Sequence, residues 1–158
     1  MASKKLIFSI GAIALVTYLS MKTNKLYALT TANTLRGCDP LGCGSFGAKR
    51  GTRKHSGVDI KATPGESIYS PISGTITRIA YPYADDLSYK GVEIVNADCK
   101  VKIFYMTATV AVGSQVKAGQ KIGVAQNISA KHGAAMTNHV HLEMYDKAGK
   151  LIDPTNLI

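Results

Sequence analysis

Apolar positions along this chain fall into two regimes. From Leu6 to Leu19 they run almost unbroken behind Lys4 and Lys5; from Cys38 onward they come in short stretches cut by Gly, Pro and Asp. The second regime predicts strands, in which successive side chains leave on opposite faces. "HSGVDIKA" (55–62) reads as a strand and "TPGE" as the turn after it. "SIYSPISGTITRIAY" gives two strands around Pro71 and Gly74, and "VEIVNA" pairs with "KVKIFYM" as a hairpin across "DC". "VAVGSQVKAGQKIGVAQ" holds glycines at 113, 119 and 123, too many for a helix. "NISAKHGAAMT" reads as a long loop, and "NHVHLEMYDKAGKLI" as a hairpin turning through "DKAG". No helix is expected outside the first segment. The fold class is all-β, a small barrel or sandwich of short antiparallel strands.

The first regime is a different object. A charged start followed by an apolar run is the pattern of a secretory signal peptide. Its run is short of the roughly 20 residues that a membrane span needs, so no stable membrane insertion is expected once the leader is gone. Cleavage is placed after Ala28. The expected organisation is a signal peptide over 1–28, a polar N-terminal arm over 29–37, and one β domain over 38–158. The expected location is extracellular. The 158 residues suffice for one modest core.

The formal charge of +9 falls to +5 without the leader, which carries Lys4, Lys5, Lys22 and Lys25 and no acid. The remaining charge is densest in "KRGTRK" (Lys49, Arg50, Arg53, Lys54). Such a run reads first as a solvated loop, and second as a dock for an anionic glycan or cell-wall polymer. Nucleic acid is not expected as a partner, because no stacking aromatics are interleaved with these charges. "CDPLGC" surrounds turn residues with Cys38 and Cys43, which in an oxidising compartment form a short-range disulfide. Cys99 is left as a half-buried free thiol.

Three of the four histidines carry the candidate chemistry. His139 and His141, in "NHVHLE", share a face of one strand; His55 stands four residues before Asp59 in "HSGVD". In extended backbone that pair also shares a face. Two imidazole nitrogens and one carboxylate oxygen suit divalent zinc and leave a fourth position for water, the arrangement of an open, catalytic site. Spacing alone leaves open whether His139 or His141 is the second imidazole ligand.

"HSGVDI", "PISGTI", "VKAGQKIG" and "NHVHLE" together resemble the lysostaphin-type zinc endopeptidases, bacterial peptidoglycan hydrolases, from about His55 to Asp153. The resemblance implies a duplicated, barrel-sandwich β fold with zinc on His55, Asp59 and His141, and His139 beside the water as an acid–base group. The active enzymes carry a further histidine in a Tyr-x-His segment. Here that segment is Tyr105-Met106-Thr107, and a hydroxyl of ordinary acidity cannot replace an imidazole near neutral pH. Losing a general base costs about 10²–10⁴-fold in rate. The C-D-x-x-G-C-G stretch ahead of the zinc motif is similar to a secreted, chemotaxin-type animal branch of the fold, which keeps zinc and lacks that histidine. In that branch a cysteine pairs with the equivalent of Cys99; here its place is expected opposite Cys99 at Tyr145. The expected function is a zinc-binding signalling or recognition protein with a cell-surface receptor or anionic glycan as partner and His139 as a vestigial catalytic group. An active metalloendopeptidase is the alternative. A biotinyl- or lipoyl-type carrier is set aside, since neither Lys90, Lys100 nor Lys102 has the sequence context of a modified lysine and the histidines would have no role.

Overall fold

The computed structural model describes residues 25–158. The expected leader falls mainly on 1–24, outside the described residues. Fourteen short strands carry the architecture. The first four form two ribbons: β1 (Cys38–Asp39) with β2 (Gly42–Cys43), and β3 (Lys49–Arg50) with β4 (Arg53–Lys54). Then follow β5 (Val58–Lys61), β6 (Ser67–Tyr69), β7 (Gly74–Ala80), β8 (Gly91–Val95) and β9 (Cys99–Phe104). The rest are β10 (Met106–Ala108), β11 (Gln115–Val116), β12 (Lys121–Ala125), β13 (His139–Asp146) and β14 (Leu151–Ile152).

A seven-stranded antiparallel sheet runs β11-β7-β8-β9-β13-β14, with β5 on the same edge of β13 as β14; a smaller sheet runs β10-β12-β6. Strand β13 is the axis of the large sheet. Along one side it pairs with β9 from His141 to Asp146; along the other it pairs first with β5 and then with β14. Its two faces separate by period two. Val140, Leu142 and Met144 enter the core with Val58 and Ile60 of β5 and Val101 and Ile103 of β9. His139, His141 and Glu143 leave on the other face, yet are also buried. A strand that is apolar on one face and titratable but covered on the other is the structural basis of the site.

The hairpins expected at 91–104 and 139–152 are present, as are the strands either side of Pro71. The strand expected from 55 is shorter, and His55 precedes it. The loop "NISAKHGAAMT" contains one helical turn, α1 (Ser129–His132), and a 3₁₀ turn spans Thr155–Leu157. Asn127 Oδ1, from just before that turn, accepts the Ala130 amide. Cys99 is free, and its partner across the strands is Asp146; Tyr145 pairs with Lys100. The expected Cys99–Tyr145 facing is therefore one residue out of register.

The N-terminal arm is bound into the domain. Leu29 is fully buried, its amide donates to Asn33 Oδ1, and its carbonyl accepts from Tyr69. Arg36 and Lys61 amides bond across to Asp59 and Thr34 carbonyls, laying the arm along β5. The last residues assigned to the leader are also packed: Leu26 lies in the core and its amide donates to the Leu157 carbonyl. Leu29→Ala is therefore expected to cost about 2–5 kcal/mol, the range for emptying a closed core position, measured by chemical unfolding of the metal-free protein.

Candidate metal centre

Strand register alone brings two of the candidate ligands together. His141 on β13 is paired directly with Asp59 on β5, and residues opposite each other on neighbouring strands project to the same face. His55 reaches the same point from the segment before β5. That segment must lie flat on β13, and Gly57 permits it: a Cβ there would run into the Leu142 carbonyl oxygen.

The three side chains converge with their metal-binding atoms within 4.8 Å of one another, all buried. His55 Nε2 is 2.9 Å from His141 Nδ1 and 3.2 Å from Asp59 Oδ1; His141 Nδ1 is 2.9 Å from the same oxygen. The outer nitrogens fix the tautomers. His55 Nδ1 lies 2.9 Å from the Ser45 carbonyl, which can only accept, so Nδ1 carries the proton and the Nε2 lone pair faces inward. His141 Nε2 faces Glu143 Oε1 at 3.6 Å, which leaves Nδ1 as the inward atom. Two inward imidazole nitrogens and a carboxylate oxygen directed at one buried spot form a donor set that fits a divalent metal ion once the imidazoles give up any inner proton.

His139 belongs to the same face but a different role. Its Nδ1 donates to the Thr137 carbonyl at 2.6 Å, and Nε2 lies 3.6 Å from Asp59 Oδ2. Burial outweighs the nearby Asp59 charge and lowers its pKa, so it is held neutral with a lone pair towards the site. Asp59 is pulled the other way. Burial favours its protonated form, but the hydrogen-bonding groups around it, His141 first, hold its carboxyl far below the ordinary carboxylate range. Glu143 is likewise held low against burial by His141, Ser56 and Tyr145. His141, between two carboxylates, is raised despite its burial.

Several site residues have no signature in the sequence. Arg36, from the arm, donates from Nη1 to Asp59 Oδ2 at 2.7 Å, leaving Oδ1 for the metal side. Arg50 of the basic run is half-buried, 3.6 Å from the same oxygen. Tyr105 has φ +65°, a conformation costly for a bulky residue, and its ring stands edge-on to His139 at 5.4 Å. Its hydroxyl meets Tyr83 Oη at 3.2 Å, and Tyr83 Oη meets His132 Nε2 at 2.8 Å. His132, in a loop that would be read as merely solvated, thus lies on the wall of the cleft. The cleft holds about 620 Å³ and includes Arg53, Lys54, Tyr81 and Lys102 along its rim. Thr107 is exposed on β10 opposite Val124 and is not among the residues lining that cleft.

Residues 53–154 match the model of Peptidase family M23. Leukocyte cell-derived chemotaxin-2 of Mus musculus is 32% identical over 147 residues, covering 92% of this chain and 93% of that protein. Among solved structures, a zinc containing peptidase from Vibrio cholerae superposes with a TM-score of 0.56 at 22% identity, over 82% of this chain and 39% of that one. The antimicrobial peptidase lysostaphin from Staphylococcus simulans does so with 0.58 at 19% identity, over 84% and 52%. At those identities the structures speak for the fold alone. The family match, which carries both halves of the histidine–aspartate cluster, and the full-length relative assign this chain to peptidase family M23.

Proposed function

We propose that this chain is a secreted zinc-binding recognition protein built on the M23 peptidase fold, with its hydrolytic machinery incomplete. One observation carries the reading: His55, Asp59 and His141 are assembled as a ligand set, while the Tyr-x-His position holds Thr107, outside the cleft. The similarity to chemotaxin-2 along nearly the whole chain supports the same direction, as does the Cys38–Cys43 disulfide for an extracellular location. Among the described residues no helix is long and apolar enough to cross a membrane.

A zinc ion on these three groups would acidify a bound water and polarise a carbonyl. The chain's own residues set the limits of that chemistry. His55 and His141 are oriented by Ser45 and Glu143, and Asp59 by Arg36. His139 can accept a proton at the site. The ring that stands edge-on to it is Tyr105, a phenol whose pKa is raised by burial and by the Tyr83 hydroxyl, so it stays protonated and can only donate a hydrogen bond. The site binds and orients, and where the Tyr-x-His imidazole of the active enzymes would stand the chain offers only the Thr107 hydroxyl, outside the cleft. The rim supplies the recognition: Arg53 and Lys54 are exposed beside the cleft, and suit an anionic glycan, a cell-wall polymer or an acidic patch of a cell-surface receptor. The second reading, a working metalloendopeptidase, is favoured by His139 alone, neutral and aimed at the site.

Metal analysis is expected to find one zinc per chain, lost in His55→Ala, Asp59→Ala and His141→Ala. Turnover of pentaglycine or peptidoglycan is expected to be negligible; turnover abolished by His141→Ala would establish the enzyme instead. Because His141 holds its proton above the ordinary histidine range in the metal-free protein, protons compete with zinc from above pH ~6.5 downward. Zinc affinity measured against pH should therefore begin to fall before pH 6.5 is reached and continue falling as the solution is acidified.

A further inference from the structure

The groups that hold the candidate ligands from behind converge on one short loop. Cys38 and Cys43 are joined by a disulfide at a sequence separation of 5. Between them, Asp39 Oδ2 accepts both Arg36 Nε at 3.0 Å and the Thr137 amide at 2.9 Å. The Gly42 carbonyl accepts Arg36 Nη2 at 2.9 Å, and the Cys43 carbonyl accepts Arg50 Nη2 at 2.7 Å. From there the contacts run straight to the site. Arg36 grips Asp59 Oδ2, and the Thr137 carbonyl orients His139. Gly42, with φ +122°, is closed against Arg50: a Cβ there would meet Arg50 Nη1 at 2.5 Å.

This loop contributes little to the core. Cys38 and Leu41 are exposed, and no residue from 38 to 43 belongs to the buried cluster. Closing so small a ring contributes at most about 2 kcal/mol on the chain-entropy model. Its contacts are spent on two arginines that approach Asp59 and on the amide of Thr137, whose carbonyl holds His139. Arg36 is the critical link. Its side chain is 2% exposed, and every one of its partners is either Asp59 or a loop atom.

We propose that the Cys38–Cys43 loop is the outer shell of the metal site, with Asp39 and Arg36 as positioning residues, so that the disulfide and the metal stabilise one another. The inference rests on the metal reading above. With the disulfide intact, the Gly42 and Cys43 carbonyls and the Asp39 carboxylate are fixed, Arg36 is held in one pose, and Asp59 presents Oδ1 to the metal. With it open, Arg36 loses its two loop anchors, the Asp39 carboxylate and the Gly42 carbonyl, and Asp59 gains freedom to rotate. Outer-shell groups of this kind are worth about 10–100-fold in metal affinity. Coupling is reciprocal, so bound metal must in turn favour the closed loop.

The test compares zinc affinity, by competition with a chromophoric chelator, in the unaltered protein, the double variant Cys38→Ser/Cys43→Ser, and Asp39→Asn. Serines remove the disulfide without leaving thiols that could bind zinc themselves. About 10–100-fold weaker binding is expected in the double variant, and weakening in the same direction in Asp39→Asn, with the far-ultraviolet circular dichroism of the sheet unchanged. In the unaltered protein, zinc should slow alkylation of Cys38 and Cys43 under a phosphine reductant; this measurement stands even if the serine variant fails to fold. Zinc affinity equal to the unaltered protein in both folded variants, or alkylation indifferent to zinc, overturns the coupling and leaves the metal site standing. Failure of the unaltered protein to bind zinc overturns the metal reading and the coupling with it.

Discussion

The carboxylate of Asp59 is the constraint around which the rest of the structure is arranged. A charged group in so buried a place is costly unless it is paired and hydrogen-bonded. Here Oδ1 faces His55 and His141 while Oδ2 takes Arg36, with His139 and Arg50 further out. Positive and donor groups from four separate stretches of chain are thereby drawn to one point. The pairing of β5 with β13 fixes the distance between Asp59 and His141. The arm brings Arg36, and the segment around Gly57 brings His55. The carboxylate's low pKa is the electrostatic record of that crowding.

The second consequence of burying this cluster is a division of labour on β13. Its core face holds the two halves of the large sheet together, and its other face supplies the site. Sheet stability and site geometry therefore share one strand, and a register slip of one residue would exchange Val140 and Leu142 for His139 and His141. Glu143, Ser56, Lys102 and Tyr145 extend the polar face as a satisfied network: Ser56 Oγ donates to Glu143 at 2.5 Å, and Tyr145 Oη at 2.6 Å. Such a network holds His141 in one orientation, which a metal ligand requires and a surface histidine does not.

The other wall of the cleft is built around aromatic hydroxyls. Where the resemblance to lysostaphin-type enzymes calls for a histidine, Thr107 lies outside the cleft, and two residues earlier the chain turns through a left-handed Tyr105 as it passes from β9 into β10. That conformation sends Tyr105 towards His139 and into contact with Tyr83. Lys131, bonded to Asp86 at 2.6 Å and stacked on Tyr83 at 4.5 Å, braces the loop above. The result is a wall on which Tyr105, Tyr83 and His132 form one hydrogen-bonded chain beside the cleft.

Much of this was legible in the residues themselves. Alternation along 91–104 and 139–146 fixed the strands, and period two put His139 and His141 of H-x-H on one face; H-x-x-x-D named His55 and Asp59, although His55 reaches the site from the segment before β5 and not from an extended strand. The spacing of Cys38 and Cys43 likewise named their disulfide. Other features depended on neighbours distant in the chain. "LTTANTLRG" has no periodicity, so nothing local marks Arg36 as buried or Leu29 as core. His132, Tyr83 and Arg50 look like loop residues, since their partners lie 49, 22 and 9 positions away. The Cys99 register was missed by one residue, because the pairing of β9 with β13 is set by the whole sheet and not by the hairpin that contains Cys99. The sequence determined which groups could bind a metal; only the tertiary structure decided which backbone and side-chain partners would hold them there, because those partners are chosen by packing across strands and leave no pattern along the chain.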